Sequence, residues 1–519
     1  MLRRRPTGPS GSRLGLVTAV VAAACLLLVP VAASADAPPG QEAKLRKAIT
    51  LTGLKTHTDA FQAIASANGG TRASGTPGYD ASVAYVVGKL EAAGYDPVVQ
   101  EFDFPFYEQL APSVFERTTP SPRTFTENTD YSTMQYSGSG NVTAAVQAVD
   151  VTIPPTPAPS SSSGCEAADF AGFVPGRIAL MQRGTCPFGQ KALNAQTAGA
   201  SAVVIFNEGQ PGRTDVIFGT LGTTDVHIPA VDTSFALGQE LFSQIPSGLV
   251  LHIQTSTISE IRQTANVLAD TPGGDENRVV VQGSHLDSVV PGPGINDNGS
   301  GSAYNLEAAI QLAKSHIEPR NTIRFAWWGA EENNLLGSQF YVDSLSDEEF
   351  AKILLNLNFD MLASPNFVRF VYDGDGSSTG TAGPEGSGQI EQVFLDYFQS
   401  QGLATEPTAF DGRSDYGPFI DRGAPAGGLF SGAEGVKTAA QAAVYGGTAG
   451  QPYDPCYHQA CDTTGNVNDV SFDQLSDAGA TALVTWAMTK KAVTGEKVKK
   501  HEAHEKAAKR ELRGSRFQR

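Results

Sequence analysis

The chain is 519 residues long, more than one ordinary domain holds, and is 40% hydrophobic and 18% charged, a balance that excludes a disordered protein. Its formal net charge of −17 falls on a body flanked by basic ends, at Arg3, Arg4, Arg5 and Arg13 and again from Lys490 onward. A body so acidic repels a phosphate backbone, which argues against nucleic acid as a partner.

Residues 1–35 read as a signal peptide. A basic start precedes the apolar run Leu14 to Val31, and Ala33-Ser34-Ala35 supplies the small residues a signal peptidase needs. A membrane anchor is the alternative, but Pro30 interrupts the end of a short run, so cleavage after Ala35 and secretion are expected. Nothing later resembles a spanning segment of about 20 apolar residues, so no membrane contact is expected after cleavage. Residues 36–50 are polar and poorly patterned and are expected to form an arm or pro-segment.

Two amphipathic helices follow. Leu54, Phe61, Ile64 and Ala65 share a face of the first, and Val83, Val86, Val87 and Leu90 a face of the second, which Gly94 ends. Val98 to Phe104 alternates like a strand. Across residues 105–263 the texture changes to Thr, Ser, Pro and short Val/Ile runs, with an exposed Pro/Ser loop from Pro154 to Ser163. Strands are expected at Gly176–Met181 and Ala202–Phe206, with a helix from Gln190 to Ala198 between them. No charged constellation there suits catalysis. Through Arg183-Gly184-Thr185-Cys186-Pro187-Phe188, Lys191-Ala192, Ala198-Gly199-Ala200 and Ile228-Pro229-Ala230-Val231, this stretch resembles the protease-associated (PA) domain. The resemblance implies a lid or access module without chemistry of its own.

Of five cysteines, Cys25 leaves with the signal peptide. Export and proximity favour disulfides between Cys165 and Cys186 and between Cys456 and Cys461; a zinc–cysteine site is the alternative, and the spacings do not match one.

Beyond Thr264, strands at Val279–Gln282, Thr322–Trp328, Leu354–Phe359, Phe367–Tyr372 and Pro425–Phe430 alternate with helices at Ala303–Lys314, Gly337–Leu345, Gly388–Gln401 and Phe472–Ala492. That alternation predicts an α/β fold, a mostly parallel mixed sheet covered by helices on both faces. Ligands of such sheets gather beyond the carboxyl ends of the strands. His285 and Asp287, Asp297, Glu331 and Glu332, and Asp360 all fall there, and His458 lies between Cys456 and Cys461. Each motif alone is ordinary: a cap, a turn, a solvated pair of glutamates. Together, two histidines and several carboxylates suit zinc, and two histidines with three carboxylates exceed one tetrahedral open site. They fit two metals sharing a carboxylate, which leaves Glu331 free as a general base.

Gly294-Ile295-Asn296-Asp297-Asn298-Gly299-Ser300-Gly301, Phe325-Ala326-Trp327-Trp328-Gly329-Ala330-Glu331-Glu332 and Cys456-Tyr457-His458 closely resemble the two-zinc aminopeptidases of metallopeptidase family twenty-eight, in particular the secreted leucine-type enzymes of actinomycetes. The resemblance implies a discontinuous zinc aminopeptidase domain at 51–104 and 264–493, a PA insertion at 105–263, and a basic tail at 494–519. It implies His285, Asp297 and Asp360 on one zinc, and Asp297, Glu332 and His458 on the other. It makes Asp287 the partner that orients His285, Glu331 the base and acid, and Tyr457 the oxyanion donor. Arg413 would fix the ends of the substrate, and Phe430 would line the S1 pocket with Met361 and Gly412. It also implies a cis bond between Asp297 and Asn298. A calcium site near the last helix would use Asp473 and Asp477, with Ala48 standing where an acidic partner is expected.

The expected activity is removal of large apolar, leucine-like residues from peptide N-termini by a monomer, the water being activated by two zincs. A carboxypeptidase or dipeptidase on the same metals is the second reading, and a binding module that has lost catalysis the third. The pocket's acidity favours a substrate ammonium, and the full donor set with Glu331 speaks against the third.

Overall fold

The computed structural model describes residues 40–154 and 161–493. The expected signal peptide, the expected basic tail and residues 155–160 of the expected Pro/Ser loop lie outside the described residues; the end of that loop is not exposed, since Ser161 and Ser163 are buried. The unpatterned arm needs correction: Gln41–Ala48 forms helix α1, and Leu45, with Ile49 just beyond, is buried in the main core. A stripe of one buried residue is too short for periodicity to reveal.

Helix α2 (Leu51–Ala67) starts where the Thr50 hydroxyl accepts the Gly53 N–H at 3.1 Å. Helix α3 (Pro77–Ala92) carries proline in its first turn and stops before Gly94, at φ 92°. The chain then runs through β1 (Val98–Thr119), β2 (Arg123–Thr124), β3 (Tyr131–Thr133), β4 (Gly140–Ala148), β5 (Ile178–Gln182), α4 (Phe188–Thr197), β6 (Ala202–Phe206), β7 (Ala230–Thr233) and α5 (Phe235–Gln244). Strands β5 and β6 are buried along their whole length, as continuous apolar runs require. Cys165 and Cys186 are bonded.

The second half continues with β8 (Val250–Asp270), β9 (Asp275–His285), α6 (Gly299–Lys314), β10 (Asn321–Trp328), α7 (Leu336–Ser344), α8 (Asp347–Phe350), β11 (Ile353–Phe359), β12 (Phe370–Tyr372), α9 (Ser387–Ser400), β13 (Glu406–Thr408), α10 (Tyr416–Arg422), β14 (Ala426–Phe430), α11 (Ala439–Tyr445) and α12 (Asp469–Met488). Strand β12 is shorter than the apolar run suggests; ahead of it the Val368 N–H bonds Ser431 O at 3.2 Å, one residue past the end of β14.

Strands β14, β11, β9 and β10 lie side by side in parallel; β12 adds antiparallel beyond β14, and β8 antiparallel beyond β10. One face packs Val280, Phe325 and Leu357 under Leu306, Phe472 and Leu483; the other packs Val281 and Trp328 under Tyr341 and Phe419. Each such side chain contributes roughly 1.5–3 kcal/mol on full burial.

Strands β1 and β8 form a long antiparallel ribbon, from Val98 opposite Leu268 to Thr119 opposite Val250. The far edge of β8 pairs β10 with its last residues and β4 with its first. The strand order therefore continues from the α/β sheet through β8 into β4, β5, β6, β7 and β3. At the ribbon's base, Phe102, Phe104 and Phe106 pack on Ala330, the residue before Glu331.

Candidate metal centre

The parallel strands deliver their chemistry at one end. Strand β9 ends on His285, β10 leads through Gly329 and Ala330 to Glu331 and Glu332, and β11 leads to Asp360. Asp297 comes from the loop before α6, whose first turn must approach the end of β11 closely. A Cβ on Gly301 would meet Phe359 O at 2.2 Å, so only glycine fits there. The Asn298 side chain caps α6 by accepting the Gly301 N–H at 2.9 Å, and the Asp297–Asn298 bond is cis.

The loop is held from three sides. Asp462 accepts the backbone N–H of Asn296 at 2.9 Å and of Asp297 at 3.0 Å, and Asp454 accepts the Asn296 amide at 2.6 Å. Arg72, fully buried, donates to the carbonyls of Pro293 at 2.8 Å and Gly294 at 2.6 Å and to Leu286 O. Burial lowers the Arg72 guanidinium to about 10, against the opposing charges of Asp287 and Asp462. Sequence reasoning missed Arg72, Asp454 and Asp462. Asp462 follows Cys461 directly, and that adjacency was the available signal; nothing local marks Arg72.

Asp297 directs one oxygen to each histidine: Oδ1 lies 3.3 Å from His285 Nε2, and Oδ2 lies 3.2 Å from His458 Nε2. His285 Nε2 is also 3.3 Å from Asp360 Oδ1, and His458 Nε2 is 3.0 Å from Glu332 Oε2. Two overlapping sets result, His285, Asp297 and Asp360, and Asp297, Glu332 and His458, each with its donor atoms within 4.8 Å of one another. Glu331 Oε2 stands 3.8 Å from His285 Nε2 without belonging to either set. The other ring nitrogen of His285 faces Asp287, 3.1 Å from its carbonyl and 3.5 Å from its carboxylate. Ser414 donates to Asp360 Oδ2 at 2.5 Å.

Burial and crowding define the electrostatics. Burial pushes Glu331 well above the usual carboxylate range, helped by Asp360, Asp415 and Glu332 against His285. Burial pushes Glu332 to about 7 and Asp415 to about 8. His458 rises to about 10, because Asp297 and Glu332 outweigh its burial. Buried carboxylate oxygens on Asp287, Asp297 and Glu332 accept no hydrogen bond. A hydrogen-bonded network would not leave so many lone pairs empty, so cations fit this donor set.

Tyr457 stacks on His458, with ring centroids 3.9 Å apart, and its hydroxyl accepts from Arg413 at 3.2 Å. Arg413 also grips Glu434, at 2.8 and 3.4 Å, a partner the sequence did not suggest. Cys456 and Cys461 are bonded around this pair. Phe430 stacks on Phe370 at 6.0 Å, and Ser431 beside it donates its N–H to the Met361 carbonyl at 2.9 Å. The Gly412 N–H bonds the Tyr416 hydroxyl at 3.1 Å.

The calcium expectation does not fit its residues. Asp473 and Asp477 gather no third acidic ligand among the described residues. Asp477 instead accepts the Tyr397 hydroxyl at 3.4 Å, and the Arg46 guanidinium lies 5.3 Å from the centre of the same ring. Burial, with Asp473 adding, lifts Asp477 to about 6, and Arg46 opposes both.

Residues 266–483 match Peptidase family M28, and residues 145–241 match the PA domain. An aminopeptidase of Pseudomonas aeruginosa is 47% identical over 437 residues, covering 83% of this chain and 80% of its own. Leucine aminopeptidase 2 of Trichophyton equinum is 43% identical over 399 residues, 76% of each chain. Among solved structures, an aminopeptidase from Aneurinibacillus sp. strain AM-1 superposes with a TM-score of 0.61 at 24% identity, covering 85% of this chain and 95% of its own. A zinc aminopeptidase from Bacillus subtilis superposes at 0.53 and 22% identity, covering 83% and 94%. The extent and identity of these matches, over a fold whose strand ends converge on metal-competent side chains, establish that the chain belongs to Peptidase family M28.

Proposed function

We propose that this peptidase is a secreted zinc aminopeptidase that removes large apolar, leucine-like residues from peptide N-termini. The observation that carries the reading is Asp297, with one carboxylate oxygen toward each of two histidines and a further carboxylate completing each set. The names of the Pseudomonas and Trichophyton relatives support the aminopeptidase activity, and that of the Trichophyton relative supports the leucine preference.

In this reading His285, Asp297 and Asp360 hold one zinc, and Asp297, Glu332 and His458 the other. Zinc held there supplies Lewis acidity toward water and the scissile carbonyl. Asp287 fixes the orientation of His285 through the second ring nitrogen. Glu331 takes the proton from the attacking water and returns it to the leaving amine, a role suited to a carboxylate that stands beside both donor sets without belonging to either. The Tyr457 hydroxyl, positioned by Arg413, donates to the developing oxyanion. Crowded carboxylates favour a free substrate ammonium over a blocked terminus, and Phe430, Met361 and Gly412 form the wall against its side chain. In the same reading the chemistry belongs to residues 51–104 and 264–493, while the insertion at 105–263 governs access.

The test pairs zinc analysis with hydrolysis of leucine p-nitroanilide and of its N-acetylated form. The reading expects zinc-dependent cleavage of the free amine alone. Equal cleavage of the blocked substrate, or activity surviving exhaustive chelation, sinks it. Secretion is tested on exported protein, whose N-terminal sequence should begin at Asp36.

A further inference from the structure

A second acidic cluster lies apart from the metal centre. Asp373 directly follows β12, Asp375 lies two residues on, and Glu391 stands in the second turn of α9; one oxygen from each lies within 4.8 Å of the others. Backbone amides already serve part of each carboxylate. Asp373 Oδ2 accepts Ser378 N–H at 3.0 Å and Thr379 N–H at 2.6 Å, Glu391 Oε2 accepts Gly374 N–H at 2.9 Å, and Asp375 Oδ1 accepts Ser377 N–H at 2.8 Å. These bonds shape the loop and leave its negative charge in place.

The independent observation is Asp373. Its side chain is fully buried, and its Oδ1 accepts no hydrogen bond. An unpartnered buried carboxylate oxygen is costly unless a cation or water serves it. Around it stand carboxylates: burial pushes Glu391 up, and the charges of Asp375 and Asp373 add to the effect.

We propose that Asp373, Asp375 and Glu391 form a structural site for a hard divalent cation of the calcium class. The donors are all oxygen, with neither histidine nor cysteine to favour zinc. Two aspartates at alternate positions, followed by Gly376 in a left-handed turn at φ 71°, follow the local logic by which calcium loops fold around their ion. A flexible loop that can also offer carbonyls suits calcium better than the strict octahedron of magnesium. The site bears on the substrate wall through Tyr372, which precedes Asp373. That ring stacks on Phe410 at 5.1 Å and meets Tyr416 edge-on at 4.8 Å, and the Tyr416 hydroxyl donates to Asp411 and accepts the Gly412 N–H.

The test uses the full-length protein after EGTA treatment and restoration of zinc, titrated with calcium chloride by calorimetry and followed by melting temperature. One calcium should bind and raise the melting temperature, and magnesium should bind more weakly. Asp375→Asn, at an exposed position, should weaken calcium by about 10-fold or more, since affinity follows the charge count of the ligands. Asp373→Asn with Glu391→Gln should abolish binding, while Asp473→Asn with Asp477→Asn should titrate like the parent. If the inner pair fails to fold, Asp375→Asn decides alone. Absence of a calcium effect on the parent, unchanged affinity in Asp375→Asn, tighter binding of magnesium, or loss of the effect in the Asp473/Asp477 variant overturns the assignment.

Discussion

Glu331 and Glu332 are sequence neighbours with different surroundings. Glu332 lies 3.0 Å from His458 within a donor set, whereas Glu331 lies 3.8 Å from His285 and outside both. Glu331→Ala should therefore keep its zinc and lose turnover by about 10²–10⁴-fold, the usual worth of a positioned base. Glu332→Ala should lower zinc occupancy. Metal analysis beside single-turnover rates separates the two, and an equal loss of zinc in both variants would show that the roles were wrongly divided. The residues that the structure gathers as candidate donors were legible in the sequence because metal chemistry demands rare residue types at strand ends, so His285, Asp297, Asp360 and His458 stood out. Arg72 and Asp454 were not, because they act through backbone carbonyls and amides that any sequence could supply. Glu434 was hidden for another reason: an exposed glutamate looks the same whether or not an arginine reaches it.

Three elements carry predictions of their own. Helix α1 docks through Leu45, so Leu45→Ala should destabilise the protein by about 2–5 kcal/mol in urea titrations, a cost no loose arm would impose. The Cys456–Cys461 loop closes over only five residues of separation, and so short a ring removes little unfolded-state entropy. In the proposed reading it holds Tyr457 and His458 in place. Replacing both cysteines with serine should lower turnover and zinc affinity more than the melting temperature, measured with and without zinc; full turnover with early melting would mark a plain staple. In α4, the fully buried Lys191 donates to Ser163 O at 2.5 Å, and burial lowers its ammonium to about 8 from 10.5. The unfolded chain then binds that proton more tightly, so stability should rise as pH climbs from about 8 to about 10.5. Lys191→Met should flatten that rise, read from urea midpoints across the interval. The periodic stripe of α2 and the continuous apolar run of β5 were plain from pattern. Helix α1 and the ribbon were not, since one depends on a single leucine and the other on pairing across 150 or so residues, roughly the span that closes a domain.

At the scale of the whole molecule, the ribbon of β1 and β8 connects the two bodies. Phe106 and Glu260 are register partners, and the Tyr136 hydroxyl donates to the Pro105 carbonyl at 3.3 Å, beside that pair. Replacing residues 107–259 with an Asn-Gly turn should leave a folded, zinc-bearing protein, because the aromatic base of the ribbon on Ala330 is retained. Its kcat/KM on leucine p-nitroanilide should stay within about 10-fold of the parent, a loss of at most about 1.4 kcal/mol of transition-state stabilisation. Loss of zinc on excision would place the inserted body inside the chemistry instead of beside it. The same geometry bears on how such a protein can change over generations. A chain that leaves a sheet and re-enters it at facing positions asks nothing of what is spliced between them except that its two ends meet. A hairpin of this kind is a socket: accessory bodies can be acquired, enlarged, exchanged or shed there in single events, and the catalytic sheet below inherits each change without having to move.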